Sequence, residues 1–200
     1  MSIYLIRHTT PLIEKGICYG QSDIDVTDTF HNEAAVIKTL IPGEFEQVYS
    51  SPLFRCRKLA EHLFPDQHII FEPDLQEIHC GEWEMQHWDK IPREIIDPWM
   101  KDFVNVCIPG GESYIQLFDR VIQSFEKIAA GPVPVAIIAH GGVLRSILAH
   151  ITGTALKDSF GVFGLHYGCV VRIDKEEGML KHRLLSNVTH EKEQHKPSYF

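Results

Sequence analysis

Two short apolar runs in this chain end in a histidine set among residues that suit an anion. Ser2-Ile3-Tyr4-Leu5-Ile6 runs into Arg7-His8, and Val135-Ala136-Ile137-Ile138-Ala139 runs into His140-Gly141-Gly142. An imidazole beside a guanidinium offers a nucleophile or proton carrier next to a fixed positive charge. The glycines after the second histidine open a helix, whose first N–H groups and positive dipole end would face a phosphate. A lone histidine after a strand is ordinarily a satisfied structural residue. Two such strand ends, one carrying an arginine of a kind rarely buried without a partner, weigh against that reading. Arg55 and Arg57 lie in the first turns of a helix that starts at Ser50-Ser51-Pro52, a cap residue followed by proline. Arg55 is nearer the helix start and better placed to grip phosphate oxygens with its planar fork.

Around Gly81 lies Leu75-Gln76-Glu77-Ile78-His79-Cys80-Gly81-Glu82-Trp83-Glu84-Met85. Transfer of a phosphoryl group needs an acid to protonate the departing oxygen. Glu77 is the first candidate for that role, because a β-like alternation with Leu75 would point it to one side. Glu82 stands behind it. Glu82 and Trp83, with Tyr19, Gly20 and Gln21 of the first loop, are the candidate substrate contacts.

These residues need a scaffold, and the hydropathy pattern supplies one. Short buried strands are expected at 3–6, 47–50, 68–71 and 133–139, and helices at 29–40, 53–64, 95–103, 114–130 and 143–151. The runs 170–173 and 180–184 around Glu176-Glu177-Gly178 read as an antiparallel hairpin, and the polar chain after Ser186 as a frayed tail. Strands alternating with helices give an α/β fold, in which ligands gather outside the carboxyl ends of the parallel strands. The expected organisation is one domain over 1–186, with an aromatic helical insertion at about 84–111 that contains Trp88 and Trp99, and a polar tail over 187–200.

Composition excludes several classes. A chain of 200 residues that is 44% hydrophobic can bury a sizeable core, and its net charge of −8 argues against a nucleic-acid surface. No run is long enough for a membrane span and no secretory leader is visible, so a cytoplasmic protein is expected. Five cysteines without a CxxC pair suggest reduced thiols. The twelve histidines, His79, His87, His190 and His195 among them, lack metal-ligand spacing, so no metal site is expected. Asn187-Val188-Thr189 matches a glycosylation sequon by chance. The sequence leaves the oligomeric state open, a homodimer being one option.

Taken together, Arg7-His8, Ser51-Pro52-Leu53 with Arg55, Glu77 ahead of Gly81, and Ala139-His140-Gly141 resemble the four motifs of the histidine phosphatase superfamily, also called the phosphoglycerate mutase-like family. They fall in family order over most of the chain. The resemblance implies a three-layer α/β/α sandwich with a mostly parallel central sheet and a covalent phosphohistidine on His8. It implies catalytic roles for Glu77 and His140 and a phosphate pocket of Arg7, Arg55, His140 and Gly141. It also implies metal-independent hydrolysis of a small phosphorylated metabolite without a cofactor, the arginines supplying the charge that Mg²⁺ supplies in kinases. The 75–85 stretch, the Pro109-Gly110-Gly111-Glu112-Ser113 turn and Gly168-Cys169 are more specific. They are similar to one branch of the family, whose enzymes remove a 5′-phosphate late in cobalamin assembly. The chain departs from the family at Thr9, where Gly is usual, and near Glu14, where an Asn is usual. The paired arginines with which mutases hold a carboxylate have no counterpart at 88–106, which favours hydrolysis. A broad-specificity phosphatase, a mutase-type enzyme and a non-catalytic phosphate-binding protein are the alternatives.

Overall fold

The runs that end in Arg7 and His140 show no polar alternation, and strands of that kind must be covered on both faces. In a computed structural model, which describes residues 2–176, 178–187, 194 and 196–199, they form the middle of a six-stranded sheet. The strands are β1 (Ser2–Arg7), β2 (Gln47–Ser50), β3 (Ile69–Phe71), β4 (Val135–Ala139), β5 (Val170–Glu176) and β6 (Met179–Ser186). Their spatial order is β3-β2-β4-β1-β5-β6. The first four in that order are parallel, and the β5–β6 hairpin closes the far side through an antiparallel pairing of β5 with β1. The sequence expectation of a mostly parallel three-layer sandwich agrees with this architecture.

Among the described residues the α-helices are α1 (Phe30–Leu40), α2 (Phe54–Leu63), α3 (Arg93–Lys101), α4 (Tyr114–Ala129), α5 (Gly141–Thr152) and the short α6 (Ser159–Val162). Successive strand residues point to opposite faces, so each strand feeds two cores. Tyr4, Ile6, Val48, Ala136 and Ile138 pack under α1 and α2. Ile3, Leu5, Val135, Ile137 and Ala139 pack under α4 and α5. Each such aliphatic side chain contributes about 1.5–3 kcal/mol on burial. Two full layers of them hold the strand ends at Arg7 and Ala139, next to His8 and His140.

A third, smaller core builds the insertion: Trp83, Trp88, Ile91, Ile96 and Ile108 gather with Cys18 and Cys80. Trp88 and Trp99 stack at 6.0 Å between centroids. The first loop is stitched to this core by hydrogen bonds from Cys18 N–H to Gln86 O and from Met85 N–H to Cys18 O.

Several local expectations differ from the structure. The helix expected at 95–103 runs over 93–101, because Pro92 is extended at its start and Asp102 leaves helical geometry at its end. The stretch from Leu75 to Cys80 is not a strand; a 3-10 turn at Pro73–Leu75 leads into irregular chain whose carbonyls face Arg120 rather than a neighbouring strand. Ser51 does not cap α2, since Leu53 occupies the cap position and the Ser51 hydroxyl turns to His140. The tail is not frayed throughout: the Ser198 backbone N–H and hydroxyl both donate to the Asp89 carboxylate, at 2.6 and 2.9 Å. Asn187 of the sequon accepts from His166 N–H and donates to Gly164 O. Thr189, His190 and His195 lie outside the described residues. Among the described residues no helix is long and apolar enough to cross a membrane.

Candidate active site

β1, β2 and β4 all end at one edge of the sheet, and there the backbone fixes His8 from both sides. Its N–H donates to Ala139 O and its carbonyl accepts from Gly168 N–H, each at 3.0 Å. Its Nδ1 lies 2.7 Å from Thr9 O. A carbonyl can only accept, so in the neutral ring Nδ1 carries the proton and Nε2 keeps its lone pair. His8 lines a cavity of about 100 Å³ with Arg7, Tyr19, Arg55, Glu77, Gly141 and Arg145.

The cations are held by carbonyl oxygens. Arg7 Nη1 donates to Leu165 O at 2.5 Å, and its guanidinium lies 4.1 Å over the Tyr167 ring. Arg55 is fully buried and donates to Ser22 O and Gly20 O at 2.9 and 2.7 Å. Its Nε is buried without a hydrogen-bond partner among the described residues, a donor that suits an anion in the cavity. Arg57 instead lies against Phe54, away from the cavity.

His140 sits behind His8 with ring centroids 5.2 Å apart and its Nε2 2.8 Å from Ser51 Oγ. It is fully buried and does not line the cavity. Burial, reinforced by the charges of Arg55, His8 and Arg7, holds its pKa well below the ordinary histidine value. Burial likewise pushes the neighbouring Cys56 thiol up to about 12.

The Glu77 carboxylate reaches the start of α5, where Oε2 accepts from Gly142 N–H at 3.0 Å and Oε1 from Ile78 N–H at 2.9 Å. Only a glycine permits this approach. A Cβ at 142 would lie 2.2 Å from Glu77 Oε1 and 3.0 Å from Leu117 Cδ2.

Of the expected substrate contacts, Tyr19 lines the cavity, whereas Gly20, Gln21, Glu82 and Trp83 do not. Gly20 and Gln21 present backbone N–H groups to Glu84. Glu82 is exposed and Trp83 is buried edge-on against Trp88 and Trp99. Thr9 is fully buried, and Glu14 is exposed and outside the cavity wall, so its carboxylate does not oppose an anion there. Sequence reasoning missed Arg145, whose guanidinium lies 4.5 Å over Phe160 and whose Nε donates to Phe163 O. The signal was an arginine amid the apolar face Val143-Leu144-Arg145-Ser146-Ile147-Leu148 of α5, buried in the structure. It also missed the outer aromatic wall of Phe103, Tyr114 and Phe160, which no local pattern relates.

With this geometry in view, the family is clear: the model of the histidine phosphatase superfamily (branch 1) matches residues 3–188, and the chain belongs to that superfamily. Among its relatives, the adenosylcobalamin/α-ribazole phosphatase of Salmonella typhimurium is 28% identical over 199 residues, covering 94% of this chain and 96% of that protein. The metal-independent phosphoserine phosphatase of Arabidopsis thaliana is 33% identical over 164 residues, covering 75% of this chain and 68% of that protein. The crystal structure of the α-ribazole phosphatase from Shigella flexneri shares the fold with a TM-score of 0.84 at 24% identity, covering 94% of this chain and 96% of that one. By family, the chain is a phosphatase.

Two outcomes follow. Gly142→Ala displaces the Glu77 carboxylate by its new Cβ, so kcat on an alkyl phosphate should fall about 10²-fold; thermal melting should change little, because alanine favours the helix over glycine by about 1 kcal/mol. The second concerns pH. Because the folded His140 resists protonation, acid favours the unfolded chain, which takes up a proton below the ordinary histidine value of 6.5. Stability should therefore fall as pH drops below about 6.5, with His140 contributing up to about 1.4 kcal/mol per pH unit. Urea titrations at pH 7.5 and 5.5 should show a shallower loss in His140→Gln than in the wild type.

Proposed function

We propose that the chain is a metal-independent phosphomonoesterase that works through a phosphohistidine on His8, and that α-ribazole 5′-phosphate is its substrate. The observation that carries the reading is the His8 tautomer: with Nδ1 donating to Thr9 O, the lone pair of the neutral ring is on Nε2, and His8 lines a cavity with three arginines and the Glu77 carboxylate. Nε2 attacks phosphorus in line, a new N–P bond forms, and the ester P–O bond breaks with its electron pair leaving on oxygen. Glu77 donates a proton to that oxygen. Arg7 and Arg55, with the N-terminal dipole of α5 at Gly141, balance charge on the equatorial oxygens. Neutral His140 backs His8 and keeps a further charge out of the pocket. Water, with Glu77 as base, then cleaves the N–P bond and releases inorganic phosphate.

The substrate rests on three supports. The branch-specific stretches at 75–85, 109–113 and 168–169 are similar to α-ribazole phosphatase. The Salmonella relative carries that name over nearly its whole length. Trp88, Trp99, Phe103, Tyr114 and Phe160 line the cavity, and a flat benzimidazole base stacks on such a wall. A cytoplasmic location and a small phosphorylated metabolite as partner go with this reading.

One observation favours a second reading, a broad-specificity phosphatase for smaller esters. The cavity holds about 100 Å³, against about 300–1,000 Å³ for pockets that bury a drug-sized ligand. Phosphate and a few further atoms fit as it stands, and a nucleoside-like group requires the aromatic wall to open.

Measuring kcat/KM without added metal on α-ribazole 5′-phosphate, O-phosphoserine, sugar phosphates, nucleotides and 3-phosphoglycerate separates the two. A preference for α-ribazole 5′-phosphate above about 10²-fold, equivalent to about 2.7 kcal/mol, supports the first, and a flat panel the second. Arg7→Ala or Arg55→Ala should lower turnover about 10²–10³-fold and His8→Ala more, with loss of the labelled phosphoprotein trapped by rapid quenching. Wild-type rates in these variants would refute the mechanism.

A further inference from the structure

The acid of the reaction just proposed sits on a segment that no strand or helix holds. Between the 3-10 turn at Pro73–Leu75 and the next at Gly81–Trp83 the chain is irregular, so its register against the cavity must come from side chains. One side chain does most of this. Arg120, on α4, donates from Nη1 to Asp74 O and Gln76 O, each at 2.8 Å, and from Nη2 to Glu77 O at 2.9 Å. Its remaining donors grip Glu112: Nε to Oε1 at 2.8 Å and Nη2 to Oε2 at 2.9 Å. A guanidinium has five N–H donors in a rigid fork, and here every one has an acceptor.

Glu112 completes the frame. Its Oε2 accepts from His79 N–H and its own N–H donates to His79 O, both at 2.9 Å. Burial alone would raise its pKa, but the bonds from Arg120 and His79 hold the carboxyl below the ordinary glutamate value. The backbone is therefore fixed at residues 74, 76 and 77 by Arg120 and at 79 by Glu112, on both sides of the Glu77 side chain. Arg120 does not line the cavity and so does not meet the substrate itself. We propose that Arg120, with Glu112, is a positioning residue for the acid step: it sets where the Glu77 carboxyl stands relative to the departing oxygen.

The inference rests on Glu77 being the acid, and leaving-group dependence tests the two separately. Protonation matters most when the leaving group is a poor one, such as an alkoxide, and least when it is p-nitrophenolate. kcat and KM are measured on O-phosphoserine or α-ribazole 5′-phosphate, whichever the wild type prefers, and on p-nitrophenyl phosphate. The proteins are the wild type, Glu77→Gln, Arg120→Lys and Glu112→Gln. Glu77→Gln should lose about 10²–10⁴-fold in kcat on the alkyl ester and far less on the p-nitrophenyl ester. Arg120→Lys, with three donors for five acceptors, should show the same selectivity at about 10–10²-fold, with KM for both esters within threefold. Glu112→Gln should follow it in direction. If Glu77→Gln is selective but Arg120→Lys and Glu112→Gln lose rate equally on both esters, or lose none, the pair is structural only and the proposal falls. If Glu77→Gln itself is unselective, Glu77 is not the acid, and both the proposal and that part of the mechanism fall. The lysine and glutamine variants keep most of the framework, and thermal melting of each checks that the comparison is between folded proteins.

Discussion

Three guanidinium groups, those of Arg7, Arg55 and Arg145, line one small cavity, and much of the surrounding structure answers the repulsion and desolvation this entails. A cation taken out of water must find hydrogen-bond acceptors. Here carbonyl oxygens at Leu165, Gly20, Ser22 and Phe163 serve. Carbonyl acceptors orient a guanidinium without cancelling its charge, so the positive potential remains directed at the cavity. The same potential explains the state of His140, whose protonation is opposed first by burial and then by Arg55, His8 and Arg7. A neutral His140 and a cationic rim give the cavity an electrostatic character that suits an anion.

The carbonyl cradle for Arg55 depends in turn on a half-buried carboxylate. Glu84 accepts from the backbone N–H groups of Gly20, Gln21, Ser22 and Cys80. Burial alone would raise its pKa, yet these bonds and that of the Ser22 hydroxyl hold it below the ordinary glutamate value. Glu84 thus shapes the turn at 20–22, and the turn presents the two carbonyls that aim Arg55. The loops around the site are therefore as determined as the strands, by charged side chains bonded to backbone instead of by ladders.

This distinction also decides what the sequence could reveal. β1, β2, β4 and the helices between them announce themselves by hydrophobic period, because their stability comes from burial of side chains on regular elements. Arg7, His8, Arg55 and His140 were legible because each stands at the end or start of such an element. The roles in the 75–85 stretch were harder to apportion. Glu77, Glu82 and Glu84 differ little as letters, yet one faces the cavity, one is exposed and one braces a loop. Their separation depends on partners tens of residues away, Gly142 for Glu77 and Gly20 for Glu84, which no local pattern records. Arg120 and Arg145 escaped for the same reason, as single charges on helices whose partners lie on other segments.

The cavity is thus built from two kinds of support. The inner side, at Arg7 and His8, hangs on backbone hydrogen bonds at the ends of central strands, with His8 locked between Ala139 and Gly168, and cannot shift without breaking the sheet. The outer side is carried by irregular chain and the aromatic insertion, whose position depends on side-chain anchors such as the Arg120–Glu112 pair. Sequence change at Trp88, Trp99 or Phe103 reshapes the outer wall of the cavity and leaves the strand ends that hold Arg7 and His8 untouched, because the two halves share almost no secondary structure. That separation is a physical basis for one phosphoryl-transfer centre serving relatives named for substrates as different as α-ribazole phosphate and phosphoserine.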